Sequence, residues 1–261
     1  AINSADEKTN VSVIPSDHTI KLTVRCIHSE IVSNLEADGF RSLKHLRHLV
    51  IENCNFQSIP SRSFWGLNDL ESLTIKTPLH IASENQIHES GKAPLRVQVD
   101  AFYGIDKLKF LDLSENKIQR FPINTLCPLN DVKTLNISNN DLVSLDDIVV
   151  TGGCLGSVQV LDVSNNNIDG VLDYQRLQVW SSVSTLDLSK NNIERVTEDA
   201  FNMLKITLRV LDLSDNRLTT LPENVFSQAH YITSIDLSNN LISSLSKNVF
   251  KHSRDTLAYL N

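Results

Sequence analysis

The stretch Leu108 to Ile118, LKFLDLSENKI, decides the fold. It returns as VKTLNISNNDL (132–142), VQVLDVSNNNI (158–168), VSTLDLSKNNI (183–193), LRVLDLSDNRL (208–218) and ITSIDLSNNLI (232–242). Every copy is apolar at places 1, 4, 6 and 11 and carries Asn at place 9. Apolar residues at places 4 and 6 with polar ones between them have the period of a strand that buries one face. A second segment recurs after the copies: FPINTLCPL (121–129), VTEDAFNML (196–204) and LPENVFSQA (221–229) share apolar residues at matching places. Copies starting at 108, 132, 158, 183, 208, 232 and 257 set a unit of about 24 residues.

Self-similarity at this period, with this apolar pattern, is the leucine-rich-repeat template. The expected fold is an α/β solenoid, a leucine-rich-repeat horseshoe. Its concave side is a parallel β-sheet and its convex side is irregular, with 3-10 turns and short helices. Because the core of a solenoid grows linearly with the number of turns, the length of the chain does not call for two domains. Upstream, LRHLVIENCNF (46–56) with IPSRSFWGL (59–67) is a regular unit in which Cys54 takes the asparagine place. Before it, Ile20, Leu22, Val24 and Cys26 alternate with polar residues. Residues 20–45 therefore read as an N-terminal cap, 46–261 as repeats, and the polar segment 1–19 as a flexible N-terminus.

One unit is long. The copy beginning at Leu70 runs to Leu108, 38 residues, and the excess falls within 77–97. An insertion must leave the stacked core as a loop, because buried backbone groups would need partners. At the far end, Leu257 to Asn261 opens another copy and stops inside its strand, so the expectation is a fragment of a longer protein.

The inward asparagines, Asn116, Asn140, Asn166, Asn191, Asn216 and Asn240, are costly to bury alone, and each is expected to bond backbone groups of its own and the next turn. Places 3, 5 and 7 are expected to face solvent. Place 5 stacks Asp112, Asn136, Asp162, Asp187, Asp212 and Asp236, and place 7 is mostly serine. Such a row is consensus decoration hydrated by its serines, a seat for a basic protein ligand, or a metal ladder, in that order of preference. The candidate contacts are the exposed-place side chains that depart from the consensus: Arg47, His48, Phe110, Val160, Val210 and the loop 77–97. Phe110 leads, an aromatic where solvent is expected.

Composition narrows the classes. With 41% apolar and 21% charged residues the chain is globular, and no run of eighteen apolar residues is present. A net charge of −7 without long single-sign runs disfavours a nucleic-acid or anionic membrane surface. HExxH, CxxC, GxSxG, P-loop and dinucleotide fingerprints are missing from the sequence, and carboxylates on an open sheet are poorly placed for raised pKa values. An enzyme is not expected, nor a cofactor or metal; His45 and His48 form an HxxH best read as solvated histidines.

The four cysteines fall in pairs one unit apart. Cys26 and Cys54 are separated by 28 residues and Cys127 and Cys154 by 27. Equivalent places on neighbouring turns are close in space, so bridges 26–54 and 127–154 are expected, in an oxidising compartment, with free buried thiols as the alternative. There, the sequons at Asn10 (NVS) and Asn136 (NIS) become acceptors for N-linked glycans.

The details of these turns resemble a known family. VRC (24–26), IENC (51–54), SIPSRSFWGL (58–67), the long second unit, AFYGIDKLKFLDLSENKI (101–118), the CPL of Cys127 to Leu129, LNISNN (135–140) and CLGSVQVLDVSNN (154–166) are similar to the N-terminal ectodomain of long, invertebrate-type Toll receptors. The resemblance implies a single-pass receptor at the cell surface. It would bind a protein ligand, such as a Spätzle-like cystine-knot cytokine, or a cell-surface protein, with receptor dimerisation compatible. A cytoplasmic TIR domain elsewhere in the parent chain would signal in innate immunity or development. A secreted leucine-rich-repeat adhesion or matrix protein is the alternative.

Overall fold

In a computed structural model, which describes residues 14–27, 31–77, 93–148 and 154–261, ten short strands form one parallel sheet in strict chain order. They are Lys21–Arg25, His48–Glu52, Ser72–Lys76, Phe110–Asp112, Thr134–Asn136, Val160–Asp162, Thr185–Asp187, Val210–Asp212, Ser234–Asp236 and Tyr259–Leu260. Each turn of the chain adds one strand, so the molecule is the leucine-rich-repeat solenoid, and this sheet lines its concave side. The convex side holds one four-residue helix, Tyr174–Leu177, and 3-10 turns at Leu145–Ile148, Asn202–Leu204 and Lys251–Ser253.

The core follows from the repeat. Places 1, 4, 6 and 11 of the opening stretch, Leu108, Leu111, Leu113 and Ile118, have no exposed surface, and their counterparts in the turns on either side fill the same interior. Behind them, place 19 supplies aromatic rings that stack from turn to turn. Phe40, Phe64 and Phe102 lie 6.3 and 6.1 Å apart in nearly parallel planes, and Phe201, Phe226 and Phe250 lie 5.6 and 5.7 Å apart. Buried Leu126 and Leu177 continue the line between the two stacks.

After every strand the chain turns sharply. Place 8 is left-handed in seven turns: Asn53, Glu115, Asn139, Asn165, Lys190, Asp215 and Asn239 have φ between 50° and 65°. Asn and Asp tolerate this region better than other non-glycine residues, which accounts for their frequency here. The turn delivers the place-9 asparagine into the interior. Asn140 Nδ2 donates to the Leu113 carbonyl of the preceding turn (2.9 Å) and to Ile137 and Ser138 of its own (3.0 and 3.1 Å). Its Oδ1 accepts from the backbone N–H groups of Asn116 and Ile118. The partner turn is thus the preceding one, not the next as expected, because the left-handed residue folds place 9 back along the solenoid axis. Asn116, Asn166, Asn191, Asn216 and Asn240 repeat the arrangement.

Of the expected insertion 77–97, residues 78–92 lie outside the described residues, as does Asn10. The flanks belong to the scaffold. Thr77 is buried and its N–H donates to Asn116 Oδ1, while Arg96–Val97 pairs in parallel with Ser58–Ile59 and buries Leu95.

The ladder can be tested at a single residue. Asn191→Ala leaves the Ile168 N–H without its acceptor and removes one donor each from the Val163, Leu188 and Ser189 carbonyls, which keep Asn166 Nδ2, Asn216 Nδ2 and the Asn165 N–H. A loss of about 1–3 kcal/mol in urea unfolding is expected, the cost of one buried donor left unsatisfied. A loss below about 0.5 kcal/mol would contradict a supporting role for the ladder.

Candidate functional site

The register of the sheet turns sequence places into columns. At place 5, Thr23, Val50, Thr74, Asp112, Asn136, Asp162, Asp187, Asp212 and Asp236 stand side by side on successive strands. Strands about 4.8 Å apart bring like charges close enough to repel unless they are screened or hydrogen-bonded. Serine supplies the hydrogen bonds. Ser164, Ser189, Ser214 and Ser238 each donate both backbone N–H and Oγ to the aspartate two residues before, with Oγ distances of 2.6 to 2.7 Å.

These pairs sit deeper than the alternation of the strand suggests. Ser114, Ser138, Ser189, Ser214 and Asp112 are buried, which corrects the expectation that places 5 and 7 are open to solvent. The strand ends at place 5, so the left-handed turn that follows draws place 7 under the rim of the sheet. Burial pushes the Asp187 carboxyl above its ordinary range, and the flanking Asp162 and Asp212 add to this against the opposing bonds from Ser189. For Asp236, burial acts in the same direction, but the Ser238 bonds and Asn261 together outweigh it and hold the group low.

The N-terminal half of the face differs. Lys76 Nζ lies 3.6 Å from Asp112 Oδ2 and 3.2 Å from Glu115 Oε1. Burial would lower its pKa, yet the two carboxylates together keep it raised. Arg25 pairs with Glu52 across the first two strands, and Glu71 lies between Arg47 (3.7 Å) and Lys109 (3.4 Å).

The five candidate contacts do not form one cluster. His48, Phe110, Val160 and Val210 share the place-3 column, whose order is Lys21, His48, Ser72, Phe110, Thr134, Val160, Thr185, Val210, Ser234 and Tyr259. A hydroxyl residue separates each apolar side chain from the next. Phe110 is exposed, whereas Val160 and Val210 are half-buried. Arg47 is exposed beside His48 and faces Glu71. His45, the other half of the HxxH, lies 3.5 Å from Asp69, and among the described residues no group of three or more His, Cys, Asp or Glu is placed to hold a metal.

Reading strand places alone missed the arginine–aromatic pairs. Arg41 lies 4.4 Å over the Trp65 ring and Arg62 5.4 Å over Tyr103, both away from the sheet, and Arg209 lies 4.8 Å over Tyr231. Gly104 fits the first of these closely: its φ is +86° and a Cβ there would come within 2.8 Å of Trp65 Cδ1. The only sequence signal was the aromatic and glycine spacing of SFWGL and AFYGI, which does not tell which arginine covers which ring.

Two disulfides fasten neighbouring turns. Cys26 is bonded to Cys54 and Cys127 to Cys154, both with Cα–Cα distances of 4.9 Å. Asn136, in the place-5 column, accepts at Oδ1 from Ser138 N–H (2.9 Å) and Oγ (2.7 Å), as the aspartates do.

Comparison with known proteins agrees with this architecture. The leucine rich repeat family model matches residues 91–142 and 206–257, and the BspA type leucine rich repeat region matches residues 19–93. Part of the chain is similar in sequence to Toll-like receptors. It is 26% identical over 183 residues to Toll-like receptor 7 of Drosophila melanogaster, covering 66% of this chain and 12% of that protein. It is 25% identical over 138 residues to Toll-like receptor 3 of Bos taurus, covering 51% of this chain and 14% of that protein. The chain thus spans only a small part of these relatives. Among solved structures, the TLR13–ssRNA13 complex superposes with a TM-score of 0.77 at 24% identity, over 93% of this chain and 32% of that one. An internalin (inlF) of Listeria monocytogenes superposes with 0.59 at 16% identity, over 87% and 57%. Both likenesses show the fold.

The charge row makes a pH-dependent prediction. A carboxyl whose folded pKa is raised contributes stability that is present below its unfolded value and lost as pH rises through the folded one. Asp187→Asn keeps an Oδ1 acceptor for Ser189, as Asn136 does for Ser138. The variant is expected to raise the unfolding free energy in urea near neutral pH, by less than about 1 kcal/mol given partial solvent screening, with the gain vanishing below the carboxylate range. A lowered midpoint at neutral pH, or a gain that does not change with pH, would refute the assignment.

Proposed function

We propose that this chain is a recognition segment of a Toll-type transmembrane receptor, displayed outside the cell, where its solenoid binds a protein ligand or a cell-surface partner. The observation that carries this reading is the similarity to Toll-like receptor 7 over 183 residues, two thirds of the chain. The disulfides between adjacent turns support it, because such bridges persist in an oxidising compartment. Within this reading the parent is of the long, invertebrate type, its ligand is of the Spätzle-like cystine-knot class, and the rest of the parent carries the membrane span and signals in innate immunity or development. The segments 20–45 and 46–261 serve as cap and repeat array.

A protein partner fits the face better than a polyanion does. One structural neighbour is a complex with single-stranded RNA. Nucleic-acid affinity comes mainly from lysine and arginine neutralising phosphates, whereas four adjacent strands here present Asp162, Asp187, Asp212 and Asp236. The contacts are assigned to the place-3 side chains His48, Phe110, Val160 and Val210 and to neighbouring Arg47, with Phe110 as the principal one. Its exposed ring is the kind of anchor on which interface energy concentrates.

The test is a binding screen of the secreted parent ectodomain against extracellular proteins, repeated with Phe110→Ala and with Arg47→Ala/His48→Ala. The expected outcome is a protein ligand whose affinity falls at least about tenfold in the Phe110 variant, roughly 1.4 kcal/mol. A parent reading frame that ends in a capped array with no membrane span would instead establish the secreted adhesion or matrix protein. A ligand indifferent to both variants would remove the place-3 column from the interface.

A further inference from the structure

We infer that Asn136 carries an N-linked glycan, and that this glycan stands on the concave sheet and divides it into two separate faces. The inference rests on the extracellular reading above and goes beyond it, since it concerns which part of the surface a partner can reach.

The argument starts from the sequon, Asn136-Ile137-Ser138. Its asparagine is the one carboxamide in a row of aspartates, and its side chain is fixed by its oxygen alone. Oδ1 accepts from the N–H and Oγ of Ser138. Among the described residues these are the only hydrogen bonds of this carboxamide, and Nδ2 makes none there. Nor is it a buried atom lacking a partner, since among the described residues those are Ser114 Oγ and Thr125 Oγ1. An unengaged Nδ2 that water reaches is the atom to which an N-linked sugar is attached. The interior asparagines are the opposite case: every Nδ2 of the place-9 ladder is committed to three backbone carbonyls.

Folding order makes the chemistry feasible. Ile137, the middle residue of the sequon, is fully buried, and its N–H donates to the Asp162 carbonyl of the next turn. Transfer therefore takes place on the extended chain before that turn closes. In the transfer, the Nδ2 of Asn136 forms the bond to the anomeric carbon of a lipid-linked oligosaccharide, the phosphate-linked lipid leaves with the bonding electrons, and Nδ2 loses one proton. Once the turn has closed, the Oδ1 bonds to Ser138 hold the linkage, and Nδ2 directs the sugar over the open face.

The consequence is geometric. Asn136 lies in register with Asp112 on one side and Asp162 on the other, and strands are about 4.8 Å apart, so even the first sugar overlies both neighbours. One face then comprises Arg47, His48 and Phe110 with the ion pairs of the first turns. The other comprises Val160, Val210 and the aspartate row. A macromolecular partner engages one of them, so the contacts proposed above divide into alternatives, Arg47, His48 and Phe110 on one face or Val160 and Val210 on the other.

The experiment is site-occupancy mapping of the disulfide-bonded chain secreted from eukaryotic cells, with enzymatic deglycosylation in heavy-oxygen water and mass spectrometry of the Asn136 peptide. Two variants accompany it. Asn136→Asp removes the acceptor and installs the aspartate–serine pair of the other turns, and Ser138→Ala removes the sequon while keeping Asn136. The expected result is glycan on most copies at Asn136, and loss of one glycan's mass in each variant, with Asn136→Asp secreted as well as the parent chain. Secreted, disulfide-bonded chain with a bare Asn136 overturns the inference and leaves the receptor reading standing. Failure of the parent chain to be secreted or to form its disulfides overturns both.

Discussion

A parallel strand carrying only two to five residues cannot hold its turn by its own ladder bonds, and the carboxamide at place 9 makes up the deficit. Each asparagine donates to three carbonyls, one of them on the preceding turn, and accepts from a backbone N–H there. Buried peptide groups left unpaired are expensive, so the ladder closes each turn that carries it and helps stack that turn on the last. The left-handed residue at place 8 serves that condition, and the variety of side chains found there, from Asn to Glu and Lys, shows that the bend prevails over local preference.

With the interior so constrained, variation has only the sheet face and the outer rim in which to accumulate. The face divides chemically along its length. Its first strands carry ion pairs between neighbouring turns, Arg25 with Glu52 and Lys76 with Asp112 and Glu115. Its later strands carry a row of like charges whose repulsion is met by serine hydroxyls and not by counter-ions. Asn136 interrupts that row between Asp112 and Asp162, which relieves repulsion and, under the inference above, also provides an attachment point. The two uses are compatible because Oδ1 serves the first and Nδ2 the second.

The outer rim is held differently. Phenylalanine rings stacked at about 6 Å run through both ends of the array, and arginines lie over Trp65 and Tyr103 on the outside of the first turns. The disulfides add covalent ties between neighbouring turns. One joins the first two turns, where Cys54 replaces the ladder asparagine, and the other follows the turn that contains Asn136. At Cys54, where the hydrogen-bonding rung is missing, a covalent one stands in its place.

Much of this was legible in the sequence because a repeat states its own geometry many times. Period, apolar places and the asparagine position determined the solenoid, the inward direction of the apolar strand side chains and the pairing of the cysteines, since equivalent places on successive turns must be neighbours. The candidate contacts were less legible. Periodicity places Phe110, Val160 and Val210 in one column, but only the folded sheet reveals that hydroxyl residues separate them and that the valines are half-buried. The burial of the place-7 serines, the backward direction of the asparagine ladder and the arginines covering Trp65 and Tyr103 were likewise decided by tertiary structure. Each depends on how a turn leans on its neighbour, and a pattern that repeats identically along the chain does not encode that lean.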